Sequence, residues 1–195
     1  MSGIGHNRGP STDAGESWRR FAWAKARADL LPTLPIEVLR LRVNRAKALG
    51  LEYKTYASVR ASTGRDVIGF LFSNNALQVL KAGQGLPADR AGVLAALQGC
   101  DRVALVHAPL LPGFQAENLD ATYAAPSFMN PWPAMRDQLR GVIRARGKPA
   151  DGFLVIGETA VERDWAEAGK MAGFLTGARY FGAAVDVAGP IGPAS

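Results

Sequence analysis

Val67-Ile68-Gly69-Phe70-Leu71-Phe72 carries no charge and runs straight into Ser73-Asn74-Asn75. A short unbroken apolar run that does not alternate with polar residues belongs to a strand covered on both faces. Val103-Ala104-Leu105-Val106 and Phe153-Leu154-Val155-Ile156 are two more runs of this kind. A fourth, over residues 179–187, is diluted by Gly182 and its alanines. Between the runs lie helical patterns at residues 89–97, 134–146 and 160–175. Strands alternating with helices predict a parallel sheet of about four strands with flanking helices, a Rossmann-like α/β fold.

Local signals agree with this alternation. Thr159 with Glu162 three residues on forms a capping box, Gly147 followed by Pro149 closes the helix before it, and Gly99 closes the one before that. Only residues 108–133 escape it. That stretch carries prolines at 109, 112, 126, 131 and 133, together with Phe114, Tyr123, Phe128 and Trp132. Long irregular loops are usually functional or disordered, and so many aromatics argue for order. Residues 108–133 are therefore a candidate surface for a protein partner.

Upstream of Asp66 the pattern becomes helical and basic. A helix is expected from about Glu16, ended by Pro32 and Pro35, and a second follows Pro35 with Ile36, Leu39, Val43 and Ala46 in one stripe. Gly50 stops it, and a third helix is expected from about Tyr53 to Ser62. The expected organisation is a flexible tail at 1–15, a basic three-helix module at 16–65, an α/β domain at 66–187 and a flexible tail at 188–195. The chain has 195 residues and a formal net charge of +6; residues 1–66 hold 12 Lys and Arg against 6 Asp and Glu, and the remainder 11 against 11. A basic segment beside a neutral one points to an anionic partner.

Residues 46–60, AKALGLEYKTYASVR, resemble a helix-turn-helix element. Ala46, Gly50, Leu51, Tyr56 and Val59 fill its small, turn and anchoring positions, although Arg45 puts a charge where the motif expects a core residue. The resemblance implies that Glu52, Tyr53, Lys54, Ala57 and Ser58 face a major groove, with Arg40, Lys47, Arg60 and Arg65 on phosphates.

The predicted sheet offers a second kind of site. In open parallel sheets ligands lie beyond the carboxyl ends of the strands. Ser73, Asn74 and Asn75 follow the first strand, His107 the second, and Glu158 and Thr159 the third. Ser73, His107 and Glu158 are candidates for nucleophile, base and orienting carboxylate, with Asn74, Asn75 and Thr159 as ligand-binding groups. The same residues also serve as helix caps and loop ties.

Other chemistries are excluded or left without a signal. One Cys and two distant His cannot assemble a structural zinc site, and one Cys forms no intrachain disulfide. No glycine-rich nucleotide fingerprint or nucleophile elbow is present, so no cofactor is named. No apolar run reaches the roughly eighteen residues of a membrane span, and a cytoplasmic protein is expected. Three function classes follow: a nucleic-acid-binding regulator whose α/β domain senses a small ligand, a small α/β enzyme, and an interaction module acting through residues 108–133.

Overall fold

The computed structural model describes residues 34–110, 114 and 116–188. The helix expected from Glu16, the tail at 1–15 and the tail at 188–195 apart from Ala188, which ends a helix, lie outside them. The chain divides into two compact units, Met1–Leu39 and Arg40–Ser195. The second holds the whole sheet.

In order along the chain, the elements are α1 (Ile36–Ala48), α2 (Tyr53–Thr63), β1 (Gly69–Ser73), α3 (Ala88–Ala96), β2 (Asp101–Val106), β3 (Ala121–Ala124), α4 (Trp132–Arg146), a 3-10 turn (Ala150–Gly152), β4 (Phe153–Gly157), α5 (Ala160–Ala168), β5 (Gly173–Thr176) and α6 (Gly177–Ala188). All strand pairs are parallel and the sheet order is β3-β2-β1-β4-β5. The protein is thus α/β with a five-stranded parallel sheet flanked by helices, consistent with a Rossmann-like fold.

Every residue of β1 and β4 is buried, as their unbroken apolar runs require. Alternation along the strands sends Phe70, Phe72, Ala104, Leu154 and Ile156 into one core, with Leu49, Tyr56, Leu94 and Phe181. Leu71, Val103, Leu105, Phe153 and Val155 enter the other, with Leu139, Ile143 and Trp165. The first core thus draws on α2, α3 and α6, and the second on α4 and α5.

Three parts of the expected layout are corrected. Residues 179–187 are not a strand but lie in α6, where Tyr180, Phe181 and Ala184 bury one helical face. The helix expected over 160–175 ends at Ala168, and Gly173–Thr176 forms the fifth strand. Helical spacing of Trp165, Ala168, Ala172 and Leu175 continued by coincidence across the break, because four residues are too few to display a strand period. Finally, residues 108–133 contain β3, an edge strand without a fully buried residue, and hence without an apolar run.

Arg45 is what ties the α1–α2 pair to the sheet. Its guanidinium donates to Asp66 Oδ2 at 3.0 Å, to the Val67 carbonyl at 2.8 Å, and to the carbonyls of Gln98 and Gly99 at 3.1 Å each. A charge at a motif position meant for the core is accommodated because its donors saturate loop carbonyls ahead of β1 and β2. Gly50 turns the chain with a φ of +62°, and the α1–α2 turn packs under α6, where the Tyr180 hydroxyl donates to the Leu49 carbonyl at 3.0 Å.

Candidate functional site at the carboxyl rim

The chain after β1 leads to α3, which packs in the first core, whereas the chain after β4 leads to α5, which packs in the second. Neighbouring parallel strands whose connections leave to opposite faces open a crevice at their carboxyl ends. In this protein that crevice is bridged by the chain's own groups. Asn75, beyond β1, donates through Nδ2 to Glu162 Oε1 of α5 at 2.8 Å.

Glu162 is the centre of the cluster. Its other oxygen, Oε2, accepts the backbone N–H of Glu158 at 2.6 Å and of Thr159 at 2.9 Å, while its own N–H donates to Thr159 Oγ1 at 3.2 Å. His107 Nε2 lies 3.3 Å from Oε1, and its ring is stacked at a tilt on Trp165 with 5.4 Å between centroids. The Glu162 side chain is 0% exposed. Burial pushes its carboxyl up, but hydrogen bonds from His107 and the two backbone amides outweigh that and bring it down to about 2. The carboxylate is therefore ionised at neutral pH.

An ionised carboxylate accepts and cannot donate, so the facing ring nitrogen must carry the proton. In neutral His107 this fixes the Nε2–H tautomer and leaves the lone pair on Nδ1. The ring keeps 26% of its side-chain surface exposed, while Trp165 behind it is fully buried. A buried carboxylate thus sets the tautomer of an imidazole that is partly open to solvent.

The structure brings Ser73, Asn75, His107 and Thr159 together around Glu162. Ser73 is fully buried and its Oγ accepts the Ala76 N–H at 3.0 Å. Asn74 is buried, its Oδ1 accepting the His107 N–H at 3.0 Å and its Nδ2 donating to the Val79 carbonyl at 3.0 Å, so it fixes the backbone that carries His107. Glu158 turns away from His107, and its Oε1 accepts the Ala178 N–H at 3.1 Å in the first turn of α6. Gly177 makes room for that carboxylate, since a Cβ there would overlap Glu158 Oε1 and crowd Ala76.

The carboxylate on His107 is thus Glu162, which the sequence presents only as a capping residue. One signal was available: an N3 glutamate in a capping box directly after a buried strand lies one turn inside the carboxyl rim. Cys100 is not part of the cluster, and burial pushes its thiol up to about 11, which keeps it protonated. Among the described residues no group of three or more His, Cys, Asp and Glu could hold a metal ion, and no described helix is long and apolar enough to cross a membrane.

Of the residues expected to meet nucleic acid, Arg40, Lys47, Lys54 and Ser58 are exposed and Tyr53 is half-buried. Arg60 approaches Asp66 at 3.9 Å, and Arg65 pairs with Asp151 at 2.7 Å.

No protein-family model matches the chain, and no curated protein matches it. A structural likeness exists to the crystal structure of the N-terminal part of the protein BF1531 from Bacteroides fragilis, containing a phosphatase domain complexed with Mg. It has a TM-score of 0.38 and 10% identity and covers 75% of this chain and 52% of that one. The chain thus spans about half the length of that structure, and a likeness at this level assigns it no activity.

Proposed function

We propose that the carboxyl rim binds a small polar molecule and that His107 takes a proton from it through Nδ1, with Glu162 orienting the ring and Asn75 and Thr159 holding Glu162. The single observation that supports this reading most is the contact between a partly exposed imidazole and a fully buried, ionised carboxylate at the point where the sheet connections diverge. A buried carboxylate costs several kcal/mol in desolvation unless it is well satisfied, and four hydrogen-bond partners around one that holds a surface imidazole fit a prepared site. The reading covers both a small enzyme and a ligand sensor.

A thermal-shift screen of polar metabolites tests it. A ligand at about 100 times its dissociation constant adds about 2.7 kcal/mol, which raises the melting temperature of a protein this size by several degrees. The expected result is a stabilising ligand whose effect disappears in His107→Ala and persists in Arg40→Glu. No stabilising ligand, or one indifferent to His107, would overturn the reading.

A second reading, interaction through residues 108–133, is supported by Phe128 and Met129, each 75% exposed, and Trp132, 46% exposed. Nucleic-acid binding through α1 and α2 rests on the exposed Arg40, Lys47 and Lys54. It predicts affinity for duplex DNA that falls steeply with salt and is lost on charge reversal at Lys47 and Lys54.

A further inference from the structure

We propose that the open edge of β5, together with α2, seats an extended acidic peptide segment of another protein. Among the described residues β5 lies at one end of the sheet and pairs only with β4. The Phe153 carbonyl accepts the Ala172 N–H at 2.8 Å, so residues 153, 155 and 157 of β4 turn their backbone groups toward β5. Val155 is in register with Phe174 and thus bonds the residues on either side of it. The N–H and C=O of Phe174 therefore point to the open side, the pair of groups that an added strand engages.

A groove of about 370 Å³ runs along this edge, with Gly173, Phe174 and Leu175 on one wall and Lys54, Ser58 and Val59 of α2 on the other. Successive side chains of a strand point to opposite faces of the sheet. Three consecutive residues lining one groove therefore place it along the strand's backbone edge, from which it reaches onto the first face of the sheet. Gly173 has no side chain, and Leu154 of β4 lines the groove beside it.

Charge selects the occupant. Lys54 and Arg179 line the groove against one carboxylate, Glu52. Among the described residues the Arg179 guanidinium makes one hydrogen bond, from Nη2 to Thr55 Oγ1 at 3.2 Å. An arginine has five N–H donors in a planar fork suited to a carboxylate. An extended segment that pairs with Phe174 would thus place an acidic side chain between Lys54 and Arg179 and the apolar residues two positions from it over Val59 and Leu154.

The test is selection of random heptapeptides displayed on phage against the full chain, followed by anisotropy with the enriched peptide carrying fluorescein. Enriched peptides should contain an acidic residue, and affinity should fall at least about tenfold in the double variant Lys54→Glu, Arg179→Glu. Ser58→Trp, an exposed position whose new ring fills the groove, should abolish binding while unfolding at an unchanged temperature. Hydrogen exchange at the Phe174 amide should slow on binding. No enrichment, binding that survives Ser58→Trp, or unchanged exchange at Phe174 would overturn the proposal.

Discussion

Glu162 makes two kinds of bond at once: it caps the helix it begins and it sets the tautomer of a histidine from another loop. Its carboxyl, brought down from an unfolded value near 4.5 to about 2, stabilises the fold above that unfolded value and ceases to do so as pH falls toward 2. The difference corresponds to roughly 3 kcal/mol at neutral pH. Glu162→Gln, which keeps the shape but not the charge, should lose about that much at pH 7 in urea unfolding, and about half of it at pH 3. A loss that does not change between pH 7 and pH 3 would mean that folding leaves the carboxyl's affinity for its proton unaltered, and one that grows as pH falls would mean that the fold holds it neutral. The sequence shows Glu162 only through its spacing to Thr159, because a capping box is local and the contacts to Asn75 and His107 come from residues 87 and 55 positions away.

At the level of elements, the strands that announced themselves were those buried on both faces. β1, β2 and β4 each display an unbroken apolar run, whereas β3 and β5 are four-residue edge strands, with Leu175 alone buried between them, and leave no period to read. α6 was concealed for a different reason: glycine and alanines between aromatics dilute any pattern, and its helical face becomes evident only once Tyr180 and Phe181 pack on Phe72. Tyr180 also carries the bond that joins α6 to the end of α1. Tyr180→Phe leaves the buried Leu49 carbonyl without that donor and should cost about 1–2 kcal/mol, measured by thermal or urea unfolding.

A second tie between elements is ionic. Arg146, in the last turn of α4, grips the buried Asp101 of β2 through two bonds of 2.8 Å, with Lys148 at 3.2 Å. The Arg146 guanidinium and Lys148 hold the Asp101 carboxyl below its usual range. Arg146→Met should destabilise by about 3 kcal/mol, because one partner of a buried pair is removed while its charge stays behind. The Arg146→Met, Asp101→Asn double variant should recover part of that loss, which a purely steric role of Arg146 would not allow.

For the whole molecule, the net charge of +6 sits in residues 1–66, and part of its basic excess is spent on cohesion. Arg45 binds Asp66 and three carbonyls, and Arg60 and Arg65 lie against Asp66 and Asp151. Arg40, Lys47 and Lys54 remain exposed around the helix pair. Fold class, the order of α1 to α5 and the residues that follow β1, β2 and β4 could be read from patterns of a few residues, since burial on both faces and strand–helix alternation are written locally. The pairing of His107 with Glu162 rather than Glu158 could not, because it depends on which way two side chains one turn apart face once α5 and α6 are packed.

The most direct test of that pairing is a long-range proton–nitrogen NMR spectrum of the imidazoles near pH 7.5, with His6→Gln assigning His107. The account predicts a single, slowly exchanging Nε2–H tautomer for His107 that is lost in Glu162→Gln. A ring averaging between tautomers in the unaltered protein, or fixed as Nδ1–H, would contradict it.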